Sequence, residues 1–239
     1  MENNIQAYIE KILFMLSIML VPGLMAITCH EVSHGFVADK LGDSTARRMG
    51  RLTLNPFKHL DVLGTLMVFI IGIGWAKPVP VNFNNLRNPK RDMIWVAAAG
   101  PITNFCLALL SALLMRGILA AATWINGGLA ALFIKPIVLM LAFSVYINLL
   151  LAIFNLIPVP PLDGGRVAVG LLPNRQAMLL SRIEPFGMII ILALIFLPGW
   201  LHLPSVFEYA ISPFLDAGIH LVAGEQSDLI YGVIQLLFK

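Results

Sequence analysis

Charged residues are scarce in this sequence. Lysine, arginine, aspartate and glutamate together make up 12% of its 239 residues, whereas 59% are hydrophobic, and the mean hydropathy is +0.86. Because a soluble domain is typically about one-quarter charged, this composition excludes an ordinary soluble fold and predicts a polytopic membrane protein that lies in a lipid bilayer. The net charge of +3 is too small to indicate a nucleic acid partner.

Cysteine is equally scarce, and no targeting segment is evident. The two cysteines, Cys29 and Cys106, both lie in apolar segments, where we predict buried small hydrophobic side chains rather than a disulfide or a thiolate ligand. Residues 1–10 lack the basic region that opens a signal peptide, and the apolar run after them leads directly into a polar motif. No cleavable signal peptide is therefore expected.

Apolar segments alternate with polar stretches along the chain. They lie at 9–38, 62–74, 93–115, 136–154 and 186–203, followed by an interrupted apolar tail at 204–239, whose place across or along the membrane stays open. A spanning helix needs about 20 residues, so segment 62–74 is predicted to be short, tilted or re-entrant, and residues 116–135 to be a connection. Prolines within 77–82 favour an extended ribbon there. The pattern predicts an all-α membrane protein of about five to six transmembrane or re-entrant segments with a small β-ribbon.

The first apolar segment continues into His30-Glu31-Val32-Ser33-His34. On a helix, histidines at i and i+4 lie on one face and can reach a single Zn²⁺, while Glu31 is turned far enough to touch a water at the metal. This short pattern is weak by itself. Its position is more informative, because ionisable groups at membrane depth need a partner, and residues 12–27 carry no charge. We interpret the motif as part of a metal site.

A hydrolytic zinc site usually has three protein ligands and one open position. Several residues could supply the third ligand: Asp163, Asp92, Asp61, Asp43, Glu184, His59 and His202. Asp163 is favoured because it lies within a stretch rich in proline and glycine, 155–165, that cannot continue a regular helix. Irregular backbone at membrane depth is tolerated where it is packed in protein or lines a cavity. A simple turn aspartate is the alternative for Asp163.

The basic residues give an orientation. Of the 16 lysines and arginines, twelve lie in the stretches 39–61, 75–92 and 156–184, and residues 199–225 have none. The positive-inside rule places these three stretches in the cytoplasm. The H-E-x-x-H motif and Asp163 then lie at the cytoplasmic side of the membrane.

Three motifs together resemble the site-2 protease family of intramembrane zinc metalloproteases: H-E-V-S-H at 30–34, G-P-I-T-N at 100–104 and N-L-I-P-V-P-P-L-D-G at 155–164. The form is the short one, without a PDZ or other soluble domain. Residues 51–61 and 75–82 resemble the short bacterial and archaeal members, although Val62 stands where the family often has proline. This resemblance implies the cell (inner) membrane of a prokaryote.

The resemblance also implies the domain and the site. It describes a single protease domain, 1–239, with a catalytic core at about 20–185 and an apolar tail at 186–239. One Zn²⁺ per chain would be held by His30, His34 and Asp163. Glu31 would be the catalytic glutamate, and Asn104 would bind the scissile carbonyl or its oxyanion.

The implied function is hydrolysis of peptide bonds in or near transmembrane segments of membrane proteins, known as regulated intramembrane proteolysis. A non-proteolytic zinc-binding scaffold and a metal transporter remain alternatives. A transporter should show repeat-related halves, which the sequence lacks, and the intact Glu31 argues against an inactive scaffold. The sequence does not name the substrate, the cleavage position, the gating of access or the oligomeric state.

Three further polar residues have plainer interpretations. His59 is predicted to be a loop histidine at the membrane interface rather than a neighbour of the metal. Asn148 is predicted to pack between spans. For Asn155, satisfying the broken backbone and acting at the site stay equally open.

Overall fold

The computed structural model describes residues 2–71, 74–124, 128–205 and 207–238. These residues form ten α-helices in chain order: α1 (Glu2–Lys40), α2 (Thr45–Arg48), α3 (Val62–Ile71), α4 (Pro89–Ala122), α5 (Gly128–Asn155), α6 (Asp163–Leu171), α7 (Asn174–Ser181), α8 (Gly187–Trp200), α9 (Ser212–Ala223) and α10 (Ser227–Phe238). The predicted all-α class is confirmed.

Within the described part of the chain, four helical segments are long and apolar enough to cross a membrane: Ile5–Lys40, Pro89–Ala122, Leu132–Asn155 and Asn174–Trp200. Between 11% and 39% of the most apolar stretch of each is buried inside the protein. Such exposure is expected when lipid is the surrounding solvent, because lipid tails are as apolar as the side chains themselves. The protein is therefore an integral membrane protein, as its composition predicts.

Two predictions about these segments are wrong. The connection expected at 116–135 is much shorter, because α4 continues to Ala122 and α5 begins at Gly128. Residues 116–122 contain no proline that would end α4 earlier, and Pro136 is accommodated inside α5. Cys106 is exposed rather than buried. In a bilayer, an apolar side chain gains nothing by turning inward.

Helix α3 is short, and the backbone that precedes it lies beside the backbone that follows it at residue 76. Its ten residues rise only about 15 Å, which is half the thickness of a bilayer core. Leu60, before the helix, forms an antiparallel bridge with Ala76, after it, and the Lys77 N–H donates to the His59 carbonyl at 2.8 Å. The chain therefore enters and leaves this segment at one level, as a re-entrant segment should.

Residues 77–82, here called the proline segment, are neither helix nor strand, and Asn82 at their end has extended backbone angles. Across the described residues, the Leu60–Ala76 bridge stands alone and no sheet forms, so the small β-ribbon is not confirmed. Pro78 and Pro80 have no N–H to donate to a neighbouring strand. Side chains hold the segment instead: Arg51 Nη2 donates to the carbonyls of Lys77 (2.9 Å) and Pro78 (3.3 Å).

Asp43 anchors the far end of the proline segment. Its side chain is fully buried and accepts hydrogen bonds from the N–H and hydroxyl of Thr45, the Asn82 N–H and Asn85 Nδ2. Burial acts to raise the pKa of Asp43, but these hydrogen bonds outweigh it and lower the pKa below its ordinary value. Asp43 is thus a carboxylate that fixes the segment by charge-assisted bonds.

The backbone between α5 and α6 turns back on itself. Three prolines interrupt the chain after Asn155, and α6 restarts at Asp163. A Cβ on Gly164 would lie 2.2 Å from the Leu156 carbonyl oxygen, so only glycine allows this close approach. The turn leaves Asp163 buried at the first residue of α6.

The chain forms two compact units. One consists of Met1–Ala26, Phe105–Leu150 and Asp216–Lys239, and the other of Ile27–Asn104 and Leu151–Leu215. The tail helices α9 and α10 have 12 residues each, or about 18 Å, and neither is long enough to cross a bilayer alone. The second unit contains every predicted site residue, and the single-domain boundaries 1–239 stay a prediction.

Candidate metal centre

Helices α1 and α6 bring three ligand atoms together. Nε2 of His30 lies 3.1 Å, and Nε2 of His34 lies 3.3 Å, from Oδ2 of Asp163. The ligand atoms all fall within 4.8 Å of one another. His30 and Asp163 are 7% and 8% exposed, so the cluster is shielded from solvent. Residues 129 positions apart in the sequence therefore meet at one point.

Hydrogen bonds orient both imidazoles toward this point. His34 Nδ1–H donates to the Val96 carbonyl at 2.7 Å, and His30 Nδ1–H donates to Asn104 Oδ1 at 2.5 Å. A carbonyl oxygen can only accept, so the proton lies on Nδ1 and each Nε2 presents a lone pair. Such outer partners fix the tautomer of metal-ligating histidines.

The three atoms fit a cation. Asp163 Oδ2 is buried and accepts no hydrogen bond, while two Nε2 lone pairs face it. Three acceptors that lie together, largely shielded from solvent and without a donor between them, are costly, and a divalent ion bound there would relieve that cost. Two imidazoles and one carboxylate form a donor set that suits Zn²⁺.

Gly100 makes the space for this ion. A Cβ at Gly100 would lie 2.5 Å from His30 Cε1 and 2.6 Å from the Nε2 atoms of His30 and His34. The sequence predicted the G-P-I-T-N motif to act through its asparagine and missed the role of its glycine. A glycine inside a helix lowers the stability of the helix by about 1 kcal/mol relative to alanine. Such an unfavourable residue in α4 could have indicated from the sequence that space is needed at this position.

Glu31 lies beside the cluster, on the same turn of α1 as His30. Its Oε2 accepts a hydrogen bond from the Val79 N–H at 2.8 Å, so the proline segment lies directly against it. A cavity of about 220 Å³ is bordered by Glu31, His30, His34 and Asp163 together. Glu31 can therefore reach a small molecule that sits at the ligand atoms.

The other candidates for a third ligand have different partners. Among the described residues, only His30, His34 and Asp163 form a group that could hold a metal. Asp61 accepts from the Gly64 N–H, Asp92 from the Asn88 N–H, and Glu184 pairs with Arg166.

The remaining polar residues differ in what they contact. His59 is 1% exposed and its Nε2–H donates to the Thr53 carbonyl, so it is a buried loop histidine, and its place at the membrane interface stays a prediction. Asn148 Nδ2 donates to the Ser144 carbonyl within α5. Asn155 Nδ2 donates to the Leu151 carbonyl while its side chain borders the cavity at the cluster, so both interpretations of this residue keep support.

Replacing Asp163 is expected to release the metal. Asp163→Ala and the size-matched Asp163→Asn both remove the charge that two neutral imidazoles cannot supply. Loss of a residue that only orients a ligand typically lowers metal affinity by about 10–100-fold. Loss of the ligand itself should lower the affinity for zinc further. Metal analysis of purified protein measures this. Glu184→Ala, at a half-exposed ion pair, is the control and should keep its zinc. Unchanged zinc in Asp163→Asn would remove this residue from the ligand set.

The protein has helices that can cross a membrane and a His-His-Asp cluster next to a glutamate. These features are typical of an integral membrane protein with a metal site of the hydrolytic type. The profile of Peptidase family M50 matches residues 115–198, which include Asp163. The chain is 36% identical to "Putative zinc metalloprotease YwhC" of Bacillus subtilis (strain 168) over 195 residues, 82% of this chain and 84% of that protein. The chain therefore belongs to peptidase family M50, the site-2 protease family, and is a zinc metalloprotease.

Other relatives agree with this assignment. The chain is 30% identical to "Putative zinc metalloprotease Rip2" of Mycolicibacterium smegmatis over 191 residues, covering 76% of this chain and 68% of that protein. It is also 30% identical to "Putative zinc metalloprotease MJ0611" of Methanocaldococcus jannaschii over 142 residues, covering 58% and 62%. No solved structure matches the chain significantly. The predicted cofactor, Zn²⁺, agrees with the family and with the His-His-Asp cluster.

Proposed function

We propose that this metalloprotease is of the site-2 type and hydrolyses peptide bonds in or near the transmembrane segments of membrane proteins, in regulated intramembrane proteolysis. The location of the cluster carries the proposal. His30, Glu31 and His34 belong to Ile5–Lys40, a segment long and apolar enough to cross a membrane. A substrate that reaches these residues must itself enter the bilayer region, where transmembrane proteins are the available substrates.

Each residue of the site has a role in this reaction. His30, His34 and Asp163 would hold a zinc ion, which would supply Lewis-acid chemistry for polarising a carbonyl and activating water. Glu31 takes the proton of the attacking water and returns it to the leaving amine. Asn104 holds His30 through Oδ1, and its predicted donation to the oxyanion remains part of the proposal.

The substrate must be unwound before it can react, because the carbonyls of a helix are already hydrogen-bonded. The proline segment is suited to hold the unwound chain. It is neither helix nor strand, and Arg51 and Asp43 keep it in place beside Glu31. An extended substrate would bind along it mainly through hydrogen bonds to its carbonyls, because Pro78 and Pro80 have no N–H to donate.

Cleavage of a panel of purified single-span membrane proteins tests the proposal. The zinc-loaded protein in detergent or vesicles should give products whose new termini, mapped by mass spectrometry, lie in or next to the transmembrane segment. Removal of zinc by a chelator should stop the reaction, and added zinc should restore it. Cleavage confined to soluble polypeptides would contradict the intramembrane assignment.

We further propose that the site faces the cytoplasm in the cell (inner) membrane of a prokaryote, which the distribution of basic residues supports. Single cysteines at Ser44 and Ser205, in a background without Cys29 and Cys106, test the orientation. An impermeant thiol reagent added outside intact cells should label Ser205→Cys and not Ser44→Cys. Labelling of Ser44→Cys alone from outside would reverse the topology.

A further inference from the structure

A second cavity, of about 250 Å³, borders His30 and Glu31. It is here called the apolar cavity, because hydrophobic side chains form nearly all of its wall and Glu31 is its one acidic residue. His34 and Asp163 do not line it, so it extends past the metal ligands. An apolar cavity of about 150 Å³ can hold a benzene molecule, so this one has room for a large apolar side chain.

Three helices contribute side chains to the wall at helical spacing, and residues 74–76 and 161–162 complete it. Ile27 lies one turn before His30 and Glu31 on α1, and Leu151 and Phe154 occupy the same kind of stripe on α5. Residues three and four apart share one face of a helix. The face of α1 that carries the proton acceptor therefore also begins the apolar wall.

Helix α8 supplies the longest stripe. Met188, Ile191, Leu192 and Ile195 follow at i, i+3, i+4 and i+7 and all line the apolar cavity. On another face of the same helix, Ile189 is 67% exposed. The inner face of α8 thus forms part of the wall of the apolar cavity.

We propose that the apolar cavity binds the side chain of the substrate residue next to the scissile bond, and that the inner face of α8 sets the size of side chain accepted. The inference rests on the proposed protease function. A pocket with its polar groups at one end and apolar walls elsewhere fixes the reacting bond at the polar end. The preferred substrates carry leucine, isoleucine, methionine or phenylalanine at this position. Aspartate and glutamate are disfavoured, because no lysine or arginine lines the cavity and the Glu31 carboxylate does.

Substrate variants and α8 variants test the inference together. In a transmembrane protein that the wild type cleaves, the residue on each side of the cut is changed in turn to alanine, leucine, phenylalanine and aspartate, and relative kcat/KM is measured by competition. One methylene in an apolar pocket is worth about 10–200-fold. On one side of the cut, kcat/KM for the substrate with leucine should therefore exceed that for the substrate with alanine by at least about tenfold. The substrate with aspartate at this position should not be cleaved.

Changes at Ile195 should move this preference. Ile195→Phe fills the cavity and should lower the leucine-to-alanine ratio by about tenfold or more, while cleavage of the alanine substrate shows that the variant is folded and active. Ile195→Ala enlarges it and should favour phenylalanine. Ile189→Phe and Ile189→Ala, on the exposed face, are matched controls and should leave the ratio unchanged.

The outcomes separate the inference from the proposed function. Cleavage with no preference on either side of the cut, or an unchanged ratio in both Ile195 variants, would overturn the inference and leave the protease assignment intact; an apolar cavity filled only by lipid would give this result. Absence of cleavage by zinc-loaded wild type would overturn the proposed function, and the inference with it.

Discussion

Zinc-loaded Glu31→Gln is expected to cleave membrane proteins about 10²–10⁴-fold more slowly than the wild type, the range for loss of a general base. Glutamine has nearly the same size and can accept the Val79 N–H that Glu31 accepts, so the proline segment should stay in place. It cannot accept a proton from water at neutral pH. Initial rates with equal zinc loading measure the effect, and substrate capture shows that the variant still binds.

Glu10→Gln is the matched control for this experiment. Glu10 lies on the same helix α1, is exposed and contacts Gln6, so its replacement removes the same charge away from the site and should leave the rate unchanged. A zinc-binding scaffold or a metal transporter predicts the opposite for Glu31→Gln, namely unaltered function with zinc still bound. Cleavage at the wild-type rate by zinc-loaded Glu31→Gln would therefore contradict the role of Glu31 as general base.

Gly100→Ala is expected to lose its zinc although it changes no ligand. The new methyl group would lie 2.6 Å from Nε2 of both histidines, inside van der Waals contact. The imidazoles belong to α1 and are held by Val96 and Asn104, so neither can move away freely. We expect a loss of zinc affinity of at least about tenfold, comparable with loss of an outer partner, and a matching loss of cleavage.

Gly117→Ala separates this effect from a general effect of alanine in helix α4. Gly117 lies on the same helix, and a Cβ there meets no atom within 4 Å. Replacing a helical glycine by alanine is worth about 1 kcal/mol in favour of the helix, so Gly117→Ala should be at least as stable as the wild type and keep its zinc. Full zinc occupancy in Gly100→Ala would show that the ligands can shift without cost, against the proposed geometry.

The class of fold could be predicted from local properties of the sequence. Apolar runs near 20 residues long can satisfy their backbone in lipid only as helices, so the membrane helices were evident from composition. The helix ends at 116–135 were predicted wrongly, because the sequence there gives only a weak signal. Helices α4 and α5 both extend into this stretch, through residues that neither favour nor forbid a helix. The prediction of a β-ribbon was not confirmed for a related reason. The prolines of 77–82 indicate non-helical backbone, but a ribbon also needs a second strand to pair with, which local sequence does not specify.

The sequence by itself determined the metal motif, because the spacing of His30 and His34 places both on one face of any helix. Only the tertiary structure decided which acid meets them. Asp163 was one of seven candidates until the turn after Asn155 returned the chain to α1.

The surroundings of the ligands were likewise decided by the tertiary structure. The Val96 carbonyl, the space left by Gly100 and the Val79 N–H on Glu31 join residues 48 to 70 positions apart. Two of these three contacts involve backbone groups that every residue carries, and the third is a missing side chain. Local sequence cannot specify such partners, because their identity depends on where distant segments pack and not on which side chains they bear.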